Sequence, residues 1–295
     1  MSGMTHGRVL RIAGPIVLSN ATVPLLGAVD TAVIGQLGDA ASLGAVGIGA
    51  VILATLYWAF GFLRMSTSGL AAQAQGAGDL GERSAVLLRA LIVAVGSGLV
   101  LVMAQALLFA AAFGIAPASA TVESLARGYL AIRVWGAPAT IALYALTGWL
   151  VGLERARGVL VLQLWQNGLN ILLSLWFVLG LHWGVPGVAL ATLIAELTGL
   201  ALGLWLARDA FGPAFREGMA RLGDRVAIRR MFSASRDIML RTILLQLSFT
   251  SFVFLGARFG DVTLAANQVL MQFLEITAYA LDGFAFAAEA LIGQA

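Results

Sequence analysis

Apolar residues run along this chain in long blocks, cut by short polar breaks, with none of the strict alternation that marks half-buried strands. Eight blocks stand out, at about 12–36, 43–74, 84–114, 121–152, 157–181, 185–207, 232–259 and 263–295. A helix of roughly 20 apolar residues crosses a hydrocarbon core about 30 Å thick, so each block predicts a membrane-spanning helix. The breaks carry turn chemistry: "QLGDAAS", "QGAGDLGERS", "FGIAPASAT", "GLERARG" and "GLHWGVPG". The longest break, "RDAFGPAFREGMARLGDRVAIRR" at 208–230, is polar and rich in arginine. The pattern predicts an all-α, polytopic membrane protein. Residues 1–207 form a lobe of six transmembrane helices, 208–231 a cytoplasmic linker, and 232–295 two helices that begin a second lobe.

Composition supports the membrane class and removes several functions. Hydrophobic residues make up 60% of the chain and charged ones only 11%, with mean hydropathy +0.92; soluble domains average about 25% charged. Cysteine is absent, which removes disulfides, thiolate chemistry and thiol metal sites. Every Lys/Arg position is arginine, so the GxxxxGK[ST] phosphate loop has no lysine to use. His6 and His182 fall near chain ends or loops and have no metal-site companions. No nucleophile with a nearby base is recognisable, so the chain is expected not to be an enzyme and to need no cofactor. The first apolar block runs directly into helical hairpins, which argues against a cleavable signal peptide.

Arginine placement predicts orientation. With the N-terminus inside, the inner segments hold Arg8, Arg11, Arg83, Arg89, Arg155 and Arg157. The linker and its helical edge add Arg208, Arg216, Arg221, Arg225, Arg229, Arg230 and Arg236, against Arg127 and Arg258 outside. The net charge of +3 then reflects anchoring to anionic lipid, not nucleic-acid binding. A bacterial-type inner membrane and a cytoplasmic N-terminus are expected.

A faint internal echo appears at an offset of 221 residues: Gly35 falls on Gly256, Ala45 on Ala266, and "AAQA" at 71–74 on "IGQA" at 292–295. A repeat after six spans returns in the same orientation, as in paired-bundle transporters with a site near the bundle interface; it predicts a complete protein of about 440 residues. On that expectation the 295-residue chain is a fragment or truncated product.

Charges at bilayer depth cost roughly 2.5–3.5 kcal/mol on insertion scales and are functional hypotheses by default. Asp30 lies about 27 Å along the helix from Ile12 at ~1.5 Å per residue, in the outer half of the membrane. Pro15 and Pro24 precede it, and each removes a backbone donor and invites a bend. A desolvated carboxylate there is a candidate for proton exchange; the alternatives are an arginine partner or a place near the outer interface. In the fifth block, "QNGLNILLS" puts Asn167, Asn170 and Ser174 on one helical face. Such amides can hold a protonated carboxylate, bind a cation, or simply pack helices together. In the last block Glu275, Asp282 and Glu289 recur every seventh residue along one stripe. That stripe points to an aqueous cavity or basic partners, with Arg241 the candidate partner; the alternative is that each acid fixes helix packing. Arg133 and Glu196 read as a structural pair, and Arg64 as a residue that snorkels from the inner end of the second block.

"GPIVLSNATVPLLGAVDTAVIGQLGD" resembles the first helix of the multidrug and toxic compound extrusion (MATE) family. "FLRMSTSGLAAQAQGAGD" and "RDIMLRT…LDGFAFAAEALIGQA" are similar to its DinF-like branch, and the resemblance runs through essentially the whole chain. It implies a twelve-helix antiporter of two six-helix lobes. In the family, an early proline and an outer acid on the first helix serve cation coupling, and Pro15 and Asp30 match them. The branch pattern NxxNxxLD on the fifth helix is matched by Asn167 and Asn170, but Ser174 stands where the acid is expected. That departure implies proton uptake resting on Asp30, weakened sodium affinity, or a changed mechanism.

The leading expectation is secondary active export of small organic, amphipathic or cationic substrates, driven by inward H+, with Na+ as the alternative coupling ion. The expected setting is a monomer among membrane lipids. The competing functions are a lipid or polyprenyl-linked flippase of related fold, and a non-transporting truncated fragment or scaffold.

Overall fold

In a computed structural model, described for residues 6–36, 38–115, 118–257 and 261–294, the apolar blocks become helices. They are α1 His6–Gly35, α2 Ala40–Trp58, α3 Phe62–Gly76, α4 Leu80–Ile115, α5 Ala120–Arg133, α6 Ala137–Gly152, α7 Ala156–Leu175 and α8 Gly184–Leu206. A short α9 (Phe215–Ala220) precedes two long helices, α10 (Arg225–Ala257) and α11 (Asp261–Gly293). Among the described residues, five stretches are long and apolar enough to cross a membrane: Ala40–Gly76, Leu80–Ile115, Ala120–Gly152, Ala156–Gly180 and Gly184–Leu206.

The polar breaks end one helix and start the next with a recurring device. Gly38 and Gly78 each take φ +67°, a left-handed turn that glycine tolerates without a Cβ clash. Each is followed by an N-capping aspartate. Asp39 accepts from the backbone N–H groups of Ala41 (3.0 Å) and Ser42 (3.1 Å), and Asp79 from that of Glu82 (2.9 Å).

Three expected blocks are interrupted. The 43–74 block bends at 59–61, so α2 and α3 are separate helices. The 121–152 block passes through a 3-10 turn, Val134–Gly136, because Gly136 weakens the helix and Pro138 offers no backbone donor. After Ser174 the chain widens into a π-helical turn, Trp176–Gly180, closed by the Leu181 N–H on the Trp176 carbonyl (2.9 Å).

The 208–231 segment is docked against the bundle. A 3-10 turn (Arg208–Phe211) and α9 lie within it, and α10 already begins at Arg225, capped by Asp224, whose side chain accepts from the Val226 N–H (2.8 Å). Ion pairs dock it. Arg221 bonds Asp79 (2.6 Å) and Glu217, and Arg89 donates to the Arg221 carbonyl (2.5 Å). Asp209 takes both Arg155 (2.7 and 2.6 Å) and Arg83 (3.2 Å). Nearby, Arg8 pairs with Glu154 and reaches Gln294 (3.3 Å), whose amide donates to the Gly152 carbonyl (2.9 Å). The end of α11 is thereby tied to α1 and α6 at an arginine-rich end of the bundle. The backbone N–H of Glu82 and then Arg221 hold the Asp79 carboxyl below its ordinary range. Burial opposes that shift at Asp209, and Arg155 overcomes it.

Within the bundle α3 packs on α6, and α1 on α7 and α11. One apolar core, with Ile12, Ile16, Leu87, Trp149 and Leu291, lies toward the arginine-rich end. A second, with Val33, Leu53, Phe109, Tyr129 and Val188, lies toward the other. Buried polar groups are set into both cores: Asp30 and Arg133 adjoin members of the second, and Glu289 adjoins members of the first; together they form a polar belt that holds most of the costly residues.

Candidate functional site

The belt begins where α1, α7 and α8 meet. Ser174, fully buried on α7, lies 3.3 Å from Asp30 Oδ1 on α1 and 3.4 Å from Asn170 Oδ1 one turn back. A hydroxyl has one proton, so it serves one of these oxygens at a time. Asn170 turns its amide the other way and donates to Thr192 Oγ1 on α8 (2.8 Å), which donates to the Val188 carbonyl (3.0 Å). Asn167 donates to Thr22 Oγ1 on α1 (2.6 Å). The expected polar face of α7 is therefore real and buried, but it splits: Asn167 and Ser174 serve α1, and Asn170 serves α8. Asp30 thus has a hydroxyl neighbour on α7, Ser174, and no second acid there among the described residues.

α1 stays helical through Pro15 and Asp30. Hydroxyls bond back to carbonyls in the stretch between them, Ser19 to Ile16 (2.8 Å) and Thr22 to Ser19 (2.6 Å). The side chain of Pro24 lies outside the described residues, as does that of Glu275.

Arg133, the last residue of α5, is a cation whose charge acts on Asp30, yet its fork is committed elsewhere. Its two terminal nitrogens grip Glu196 of α8 at 2.6 and 3.0 Å, a bidentate pair with both residues buried. Gly136 makes this possible, because a Cβ there would sit 2.2 Å from Glu196 Oε2. Arg133 Nε is buried and has no acceptor among the described residues.

Glu196 also lines a cavity of about 310 Å³ between α1, α3, α6, α7, α8 and α11. Asn20, Gln163, Gln166 and Tyr144 supply polar surface, and Arg64, Asp282 and Phe286 close its α3 and α11 sides. Arg64 does not snorkel. The bend at 59–61 sets it inside the bundle, with its guanidinium 4.4 Å from the Phe286 ring centre and Asp282 and Glu289 acting on it. Of the acidic stripe, Asp282 faces the cavity. Glu289 approaches Gly69 of α3, with Arg64 and Arg241 as the cations that act on it. Arg241 itself is exposed on α10. Sequence reasoning named Arg64 and Glu196 but not their place at the cavity, and it missed Thr22 and Thr192, for which the sequence gives no signal.

The model of the MatE family matches residues 15–176, more than half of the chain, a span that includes Pro15, Asp30 and Ser174. The chain belongs to the MatE family. Among similar proteins, DNA damage-inducible protein F of Escherichia coli (strain K12) is 45% identical over 285 residues, covering 96% of this chain and 62% of that protein. A probable multidrug resistance protein NorM of Deinococcus radiodurans is 30% identical over 286 residues, covering 92% and 59%. The chain thus spans about three fifths of the length of these curated relatives. The MatE fold is also seen in a crystal structure of MATE in the bent conformation, with TM-score 0.85 at 19% identity, covering 97% of this chain and 65% of that one. As in that family, the described part of this chain is an all-α membrane bundle.

Proposed function

We propose that this chain carries the coupling lobe of a secondary exporter, which moves small amphipathic or cationic organic molecules outward against inward H+. The observation that carries the proposal is the connected polar belt. Asp30 is held by Ser174, Arg133 acts on Asp30 while gripping Glu196, and Glu196 lines the cavity. With Glu196 paired to Arg133 and Asp282 set against Arg64, the charges around that cavity balance, unlike the strongly basic cavity expected of a lipid-linked flippase.

The mechanism follows from charge. With Asp30 ionised, it competes with Glu196 for Arg133, and the free Arg133 Nε–H gives the guanidinium a second direction to donate. Protonation of Asp30 ends that competition, locks Arg133 onto Glu196 and weakens the carboxylate's hold on a cationic substrate. A proton needs one oxygen, whereas Na+ needs several oxygen ligands. With Ser174 in place of an acid, the site offers less negative charge to a bare cation, which favours H+ over Na+. The two states differ in substrate affinity, as export against a gradient requires. The arginine-rich end is cytoplasmic in this proposal, in a bacterial-type inner membrane, and the named relatives in multidrug resistance support the substrate class.

The test is uptake of a fluorescent organic cation in proteoliposomes with separately imposed proton and sodium gradients. Wild-type protein responds to the proton gradient, and Asp30→Asn falls to the level of empty vesicles with its melting curve unchanged. Normal transport by Asp30→Asn overturns the proposal.

A further inference from the structure

The arginine-rich end holds a cavity of about 500 Å³ between α1, the α6–α7 turn and the end of α8, separate from the polar belt. Arg11, Arg155 and Arg157 line it together with Leu150, Leu206 and Glu154. The charges do not cancel. Glu154 is taken by Arg8 and Arg155 by Asp209, whereas Arg11 and Arg157 enter no ion pair among the described residues and are exposed. Two uncommitted guanidinium groups thus face one cavity with an apolar wall.

Exposed apolar residues adjoin the lining residues along α1, α7 and α8. Leu10, beside Arg11, is 59% exposed; Val161, one turn beyond Arg157, is 48% exposed; Trp205, beside Leu206, is 58% exposed. Trp205 also carries the Arg208 guanidinium 4.5 Å from its ring centre. Tryptophan and arginine together mark the headgroup level of a membrane. Phosphate binders that meet an apolar rim at that level match a molecule with a charged head and hydrocarbon tails.

We propose that this cavity is a binding site for the headgroup of an anionic phospholipid. Arg11 and Arg157 take the phosphate through charge-assisted hydrogen bonds, and the acyl chains lie along Leu10, Val161 and Trp205. The site asks nothing of Asp30 or of transport, so it stands or falls separately from the export proposal.

Native mass spectrometry of the purified chain tests it, with phosphatidylglycerol, phosphatidylcholine or inorganic phosphate added in turn. Wild-type protein is expected to retain phosphatidylglycerol about tenfold more than phosphatidylcholine, and Arg11→Ala/Arg157→Ala to lose that preference. Arg11→Lys/Arg157→Lys, which keeps the charge, should keep most of it, and Arg236→Ala, an exposed arginine on α10 that does not line the cavity, should keep all of it. Equal retention of the two lipids by wild type, or an unchanged preference in the double alanine variant, overturns the site. Displacement of the bound lipid by millimolar inorganic phosphate overturns the lipid assignment in favour of a free-anion site.

Discussion

The arginine-rich end and the polar belt both contain ion pairs, and they differ in what each pair risks. At the end, Arg221 and Asp79 are 35% and 38% exposed and Arg155 and Asp209 are 38% and 37% exposed, so water takes over if either partner is lost. In the belt, Arg133 and Glu196 are 9% and 12% exposed, and nothing replaces a missing partner. The first set staples loops and the docked 208–231 segment in place. The second buries a charge pair inside the bundle, close to the carboxylate that the proposed mechanism protonates. Buried pairs contribute little net stability compared with apolar replacements, yet breaking one strands a charge. A pair kept at that risk is what a coupling site needs and a staple does not.

The largest expected effect tests the belt. Glu196→Ala should destabilise the protein by about 3–5 kcal/mol or prevent its accumulation, because Arg133 is left buried and unpaired. Arg133→Met/Glu196→Leu should recover most of the lost stability in detergent melting curves but not transport. Recovery of both would reduce the pair to packing. Next, Ser174→Asp adds a second acid beside Asp30. It should leave the fold intact, strengthen cation binding beside Asp30 and make export respond to a sodium gradient; an unchanged ion response would sever Ser174 from ion choice.

The smallest effects belong to the staples. Asp79→Ala should cost under about 1 kcal/mol, since the pair is well solvated. The pH dependence has the same sign at Asp79 and Asp209. Both carboxyls are held below the ordinary value of 3.8, so their stabilisation is present at neutral pH and is lost as pH falls through the depressed values. Melting curves from pH 6 down to about 3 should show wild type losing stability and Asp79→Ala/Asp209→Ala losing less. Parallel losses would place the acid sensitivity elsewhere.

Much of this division is legible in the residues. Apolar blocks mark the helices, Gly38-Asp39 and Gly78-Asp79 mark their ends, and Asn167, Asn170 and Ser174 mark a buried face by spacing alone. What escapes is long-range or small. Ser174 meets Asp30 and Arg133 meets Glu196 across contacts that no local spacing encodes. Thr192 is one threonine among many until Asn170 reaches it. Arg64 looks like an end residue because the bend at 59–61 is written in apolar letters. The docking of the 208–231 segment escapes because α9 is too short to carry a periodic apolar face, although Asp224 is a visible cap for α10.

The central claim is that Asp30 exchanges a proton in competition with a bound organic cation. The most direct measurement is proton release on adding a cationic dye to the purified protein in weakly buffered solution near neutral pH. Wild-type protein should release up to about one proton per dye bound, through linkage at Asp30. Asp30→Asn should release none while still folding. Equal release by wild type and Asp30→Asn would contradict the account.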